Sequence, residues 1–142
     1  MKALILAFAL ILPLEVLSYT TLGSKDRIEE YIILQAYRLH YSANKALAIA
    51  GCESNLRQFN MNNTVLTGIV NNKDIGIFQI NEKYHLAQSI AMNIDIYTAK
   101  GNIDYGLWLL ETQGDRHFLA SKPCWKKKLI IDRQTVNYRV DL

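Results

Sequence analysis

Glu53 stands at a sharp border in the chain. It follows an uncharged stretch, Ala46-Leu47-Ala48-Ile49-Ala50, and polar Ser54-Asn55 comes directly after it. A carboxylate there is either exposed just past a helix or held in a partly desolvated cleft. In the cleft its pKa rises and it stays protonated near neutral pH, as a general acid requires. Asp74 opens the run Asp-Ile-Gly-Ile-Phe-Gln-Ile-Asn and is either a second working carboxylate or a turn residue after Asn71-Asn72-Lys73. Ile75 to Asn81 is a strand-like or turn segment entering the core; read as a strand, it puts Gln79 and Asn81 on one face. Buried amides need partners, and the hydroxyl and acetamido groups of a sugar are suitable ones. A pair of satisfied core amides is the alternative. Gly76 implies close backbone approach, to a substrate or to a packed helix.

Other chemistries find little support. His40, His85 and His117 lie far apart with no cysteine or histidine at ligand spacing, so neither a metal nor another cofactor is expected. The net charge of +3 is too small for a dedicated nucleic-acid binder. Half of the chain is apolar (50%), but a disproportionate share lies in the first eighteen residues. Met1-Lys2, the apolar run Ala3 to Leu14 and Val16-Leu17-Ser18 read as a secretory signal peptide over 1–18. The run is too short and too broken by Pro13 and Glu15 to span a bilayer. Export permits one disulfide between Cys52 and Cys124, with two buried free thiols as the alternative.

The elements that must position these residues are mostly helical. Ser24 caps a helix with Ile28, Ile32, Ile33, Ala36 and Leu39 at helical spacing, running to about His40. Ser42 caps a second helix from Ala43 to about Cys52. Asn-rich residues 60–74 form a short β-excursion ending at Asp74. A helix covers part of His85 to Asn93, and Asn102 caps another that Gly114 stops. The expected class is therefore mainly α, with a small β-hairpin excursion flanking the cleft. One domain spans 19–125. A basic tail, 126–142, carries Lys126-Lys127-Lys128 and a weak alternation at Val136, Tyr138, Val140 and Leu142. That tail reads as a late strand or as disorder.

Three blocks, Gly-Cys-Glu-Ser-Asn-Leu (51–56), Gly-Ile-Phe-Gln-Ile-Asn (76–81) and Asn-Ile-Asp-Tyr-Gly-Leu-Trp-Leu (102–109), occur in this order. Together they resemble the lysozyme superfamily, and within it the lytic transglycosylase domain of small secreted bacterial envelope proteins. The resemblance spans roughly residues 43 to 112. It implies an α+β lysozyme-like fold, and a peptidoglycan-degrading enzyme that cleaves between N-acetylmuramic acid and N-acetylglucosamine to give 1,6-anhydro products. Glu53 would be its catalytic acid/base, Ser54 would orient Glu53, and Gln79 and Asn81 would line the cleft. The closing Ala-Ser-Lys-Pro-Cys-Trp (120–125) resembles relatives that pair this late cysteine with the one beside the catalytic Glu.

Two departures widen the expectation. The Tyr-Asn-Ala-Gly-like block of many lytic transglycosylases is replaced by Glu-Thr-Gln-Gly-Asp-Arg-His (111–117). Asp74 with the following Gly-Ile-Phe-Gln-Ile-Asn is closer to animal c-type lysozymes, which implies hydrolysis using Glu53 and Asp74. A non-catalytic glycan-binding relative is the third alternative. Tyr84, Tyr105 and Trp108 are sugar-stacking or core residues. Peptidoglycan strands are the expected partner of a monomer in the envelope or outside the cell.

Overall fold

The computed structural model describes residues 22–140, with side chains described to residue 132. The chain is mainly helical with one two-stranded antiparallel sheet. The elements are α1 (Lys25–Arg38), α2 (Ala43–Glu53), β1 (Asp74–Ile75), β2 (Ile80–Asn81), α3 (Glu82–Ala91), α4 (Ala99–Gln113) and α5 (Lys122–Val140). A 3-10 turn, Gly114–Phe118, joins α4 to the segment before α5. Among the described residues no helix is long and apolar enough to cross a membrane. The segment 1–18, read from the sequence as a signal peptide, lies outside the described residues.

The caps expected from sequence form. Ser24 Oγ accepts from the Arg27 amide and Ser42 Oγ from that of Lys45, satisfying donors the helix cannot pair. Asp26 in the first turn of α1 and Arg38 in the last complement its dipole. Ile28, Ile32 and Ala36 place one stripe of α1 in the core, whereas Ile33 falls outside that stripe and is exposed. In α2 the buried residues are Ala46, Ala48, Ile49 and Ala50, three of them small, and this helix packs against both α1 and α5. The bridge between Cys52 and Cys124 fastens α2 to α5 across a sequence separation of 72. Closing so long a loop stabilises the fold by about 4 kcal/mol in the chain-entropy picture.

Three sequence expectations change. Asn102 does not cap α4; Thr98 does, accepting from the Gly101 amide, and Asn102 lies wholly buried inside the helix. Over the described residues 126–140 the tail is neither strand nor disorder but the continuation of α5, which crosses position 125 without a break. Trp125 and Leu129, one helical turn apart, join the core and outweigh the exposed Lys126–Lys128 between them. Finally, the run 74–81 is no continuous strand. β1 and β2 pair with Asp74 opposite Asn81 and Ile75 opposite Ile80, around a tight turn. Gly76 and Gln79 in that turn have positive φ of 67° and 47°. Gln79 and Asn81 therefore do not share a strand face.

The β-excursion before this hairpin holds isolated bridges, Phe59 with Val65 and Thr67 with Ile75. Two amides buried in the core then lock the hairpin down. Asn102 accepts from the Phe78 amide (2.8 Å) and donates to the carbonyls of Ile75 (2.8 Å) and Ile96 (3.0 Å). Gln58 accepts from the Ile77 amide (3.1 Å) and donates to the Ile96 and Tyr97 carbonyls. Gly76 is required where it is, because a Cβ there would collide with the Gln58 side chain. Its close neighbour is thus neither a substrate nor a helix backbone. Gly106 likewise leaves room for the Phe78 ring against α4.

Candidate active site

Glu53 is the last residue of α2, and the chain turns away at once. Asn55 and Leu56 are both left-handed, with φ of 55° and 62°, a conformation costing a residue with a Cβ roughly 1–2 kcal/mol. Burial of Leu56 in the core offsets that strain and holds the turn. The result is a carboxyl at the end of an apolar helix, on the wall of a cleft of about 320 Å³. Asn71, Asp74, the turn residue Gln79 and β2 also line it. Tyr84 and His85 of α3, Leu109 of α4, and His117, Phe118 and Ala120 complete the lining.

Two carboxyls therefore share one cleft in different surroundings. Burial pushes Glu53 above the usual carboxylate range; the Ser121 hydroxyl, donating to Oε1 at 2.6 Å, pulls the other way, and the charge of Asp74 adds to the rise. The negative end of the α2 dipole also disfavours its ionisation. Asp74 is held as an acceptor, its Oδ1 taking amide donors from Asn81 (2.6 Å) and Asn71 (3.1 Å). The first of these bonds follows from the strand register that sets Asp74 opposite Asn81. Asn81 Oδ1 is buried and has no partner among the described residues.

The remaining sequence candidates divide. Gln79 lines the cleft, with its amide donating to the Gly76 carbonyl at 2.8 Å. Ser54 does not orient Glu53. Its hydroxyl is buried, donates to the Ile77 carbonyl at 2.8 Å and accepts from the Arg57 amide, tying α2 to the hairpin. Tyr105 does not line the cleft either. It is 0% exposed, packed between His85 and Trp108, and its hydroxyl lies 3.2 Å from His85 Nδ1. Among the three aromatic candidates Tyr84 is the exposed one that borders the cleft.

Sequence reasoning passed over Ser121, Asn71, His85 and His117. The two histidines, weighed in the sequence only as metal ligands, meet edge to face at 5.0 Å on the cleft wall. Burial, and then the charge of His117, lowers the pKa of His85. Among the described residues no group of three or more acidic, histidine or cysteine side chains is arranged to hold a metal. A larger groove of about 430 Å³ lies between α1, α2 and α5. Its acids differ from Glu53, since Glu29 faces Lys25 as an ion pair and Asp132 is exposed. Size does not select the site; the withdrawn carboxyl does.

Compared with models of protein families, with curated proteins and with solved structures, the chain has no match.

Proposed function

We propose that this chain is a peptidoglycan-cleaving glycosidase of the lysozyme superfamily, with a lysozyme-like fold. The bond cut is the β-1,4 link between N-acetylmuramic acid and N-acetylglucosamine. The observation that carries the reading is the Glu53 carboxyl, withdrawn from water on a cleft that also holds Asp74. The sequence resemblance supplies the substrate class. Protonated Glu53 gives its proton to the glycosidic oxygen as the bond to the anomeric carbon breaks and positive charge develops on the sugar. In the transglycosylase route the sugar's own 6-hydroxyl attacks that carbon and returns its proton to the Glu53 carboxylate, closing a 1,6-anhydro ring. The buried, unpartnered Asn81 Oδ1 suits a hydroxyl or acetamido donor of the glycan.

A second reading, hydrolysis, is favoured by the placement of Asp74. Its carboxylate, steadied by Asn71 and Asn81, is available to stabilise or trap the positive sugar before water completes the reaction. The disulfide supports export to the cell envelope or beyond it. Mass spectrometry of digested peptidoglycan separates the routes. Anhydro-muropeptides are expected from the first and reducing ends from the second. Saccharide binding without any released product would instead identify a glycan-binding relative.

A further inference from the structure

One hydroxyl near Glu53 has a place in the fold that capping alone does not explain. Ser121 immediately precedes α5, where serine ordinarily turns its oxygen back to accept from the new helix. Here the hydroxyl points its single proton elsewhere. The acceptors are Glu53 Oε1 at 2.6 Å and, more distantly, the Phe118 carbonyl at 3.2 Å. Ser121 lies three residues before Cys124, and Glu53 lies next to Cys52. The same two segments are thus joined twice, once by the disulfide and once by this hydrogen bond. Oε2 of Glu53 has no hydrogen bond among the described residues. Ser54, the serine expected in this role, is fully engaged with the Ile77 carbonyl and the Arg57 amide.

We propose that Ser121 is a positioning residue for Glu53: its hydroxyl fixes Oε1 as an acceptor, so that Oε2 carries the proton exchanged with the glycan. This rests on the reading of Glu53 as the general acid. Ser121 keeps its own proton throughout. When Oε2 gives up its proton to the glycosidic oxygen, the bond to Oε1 strengthens, because the acceptor has become an anion. When the incoming hydroxyl returns a proton to Oε2, the bond relaxes to its starting strength. The serine thereby opposes the desolvation that would otherwise hold Glu53 protonated and make it a poorer acid. Because Ser121 is not part of the cleft lining, it acts on turnover and not on glycan binding.

The test uses the full chain, with Ser121→Ala, Ser121→Thr and Glu53→Gln. Carbon NMR of the Glu53 carboxyl reports its titration without reference to activity, and peptidoglycan digestion over a pH series reports kcat and KM. In Ser121→Ala the Glu53 titration should move to higher pH by about one unit, for loss of one hydrogen bond to a charged group. Its kcat should fall about tenfold with KM unchanged, and Ser121→Thr should restore both. An unmoved titration in Ser121→Ala, even with lower activity or melting temperature, would make the serine merely structural. A moved titration with unchanged kcat would equally overturn the positioning role. Glu53→Gln separates the failures. Full activity there removes the reading of Glu53 as the general acid, whereas an inactive Glu53→Gln beside an unmoved Ser121→Ala titration removes only the role of the serine.

Discussion

Glu53 and Glu82 are the same side chain at opposite ends of two helices, and the fold drives them in opposite directions. Glu53 closes α2, where the dipole is negative and the neighbours are apolar; Glu82 opens α3, where the dipole is positive. Burial raises the pKa of the first. The second is lowered by hydrogen bonds from Lys73 at 2.8 Å and Tyr97 at 2.6 Å. The bond to Glu82, with burial adding to it, in turn pushes Tyr97 up to about 12. One glutamate is prepared to hold a proton and the other to remain a charged clasp between the β-hairpin, α3 and the start of α4. Residue type alone does not assign a general acid; the helix end and the available donors do.

The widest separation between the two glutamates should appear in activity. Glu53→Gln should lower peptidoglycan release by about a thousandfold, within the range for removal of a general acid, whereas Glu82→Gln should keep most of it. Comparable losses in both would erase the functional contrast. Removing the bridge with Cys52→Ala and Cys124→Ala together should cost about 4 kcal/mol in urea unfolding. The accompanying loss of activity should exceed that of Ser121→Ala, because the whole segment facing Glu53 is freed.

Both glutamates depend on the hairpin that Asn102 anchors. Asn102→Leu should cost about 2–4 kcal/mol in the same assay, since it takes the Asn102 partner from the Phe78 amide and the Ile75 carbonyl and leaves the Ile96 carbonyl to Gln58. A neutral result would mean that Gln58 alone suffices to hold this segment.

The smallest effect is the most diagnostic, and it is read as melting temperature against pH. A raised native pKa means that the folded state holds the Glu53 proton more tightly than the unfolded chain does. Glu53 therefore costs stability as pH rises from the ordinary carboxylate range through its own native value. Glu82 has the reverse sign: its contribution is present above the ordinary carboxylate range and is lost as pH falls through its lowered native value. At neutral pH Glu53→Gln should thus melt above the parent protein and Glu82→Gln below it. Both differences should shrink in acid. Shifts of the same sign would break the comparison at its root.

Much of the helical frame was legible because it rests on local rules. Serine caps at 24 and 42, the stripe Ile28, Ile32 and Ala36, and the Gly114 stop with φ of 70° all concern contacts within a few residues. Glu53 was legible for a similar reason, since an apolar helix ending in a carboxylate is visible in the chain itself. What escaped depends on distant partners. Asn102 has the chemistry of a cap, yet its place was decided by carbonyls at positions 75 and 96 that only the fold brings near. Gln79 alternates correctly for a strand, but the left-handed turn beside Gly76 breaks the period. Ser121 reaches Glu53 across 68 positions, a pairing no local pattern carries. Helix α5 was hidden by its lysines, which obscure the one-turn spacing of Trp125 and Leu129.

The bridge between Cys52 and Cys124 has one more consequence, for what a single proteolytic cut can do to the chain. The tip of the excursion is fully exposed at Ile69 and Val70, in a loop of the kind where proteases enter. A cut between these two residues would leave Glu53 and Cys52 on one fragment, and Asp74 and Cys124 on the other. The fragments would stay covalently joined, with both carboxyls still lining one cleft. Such a nicked molecule should migrate as one species until it is reduced, and should keep working until then.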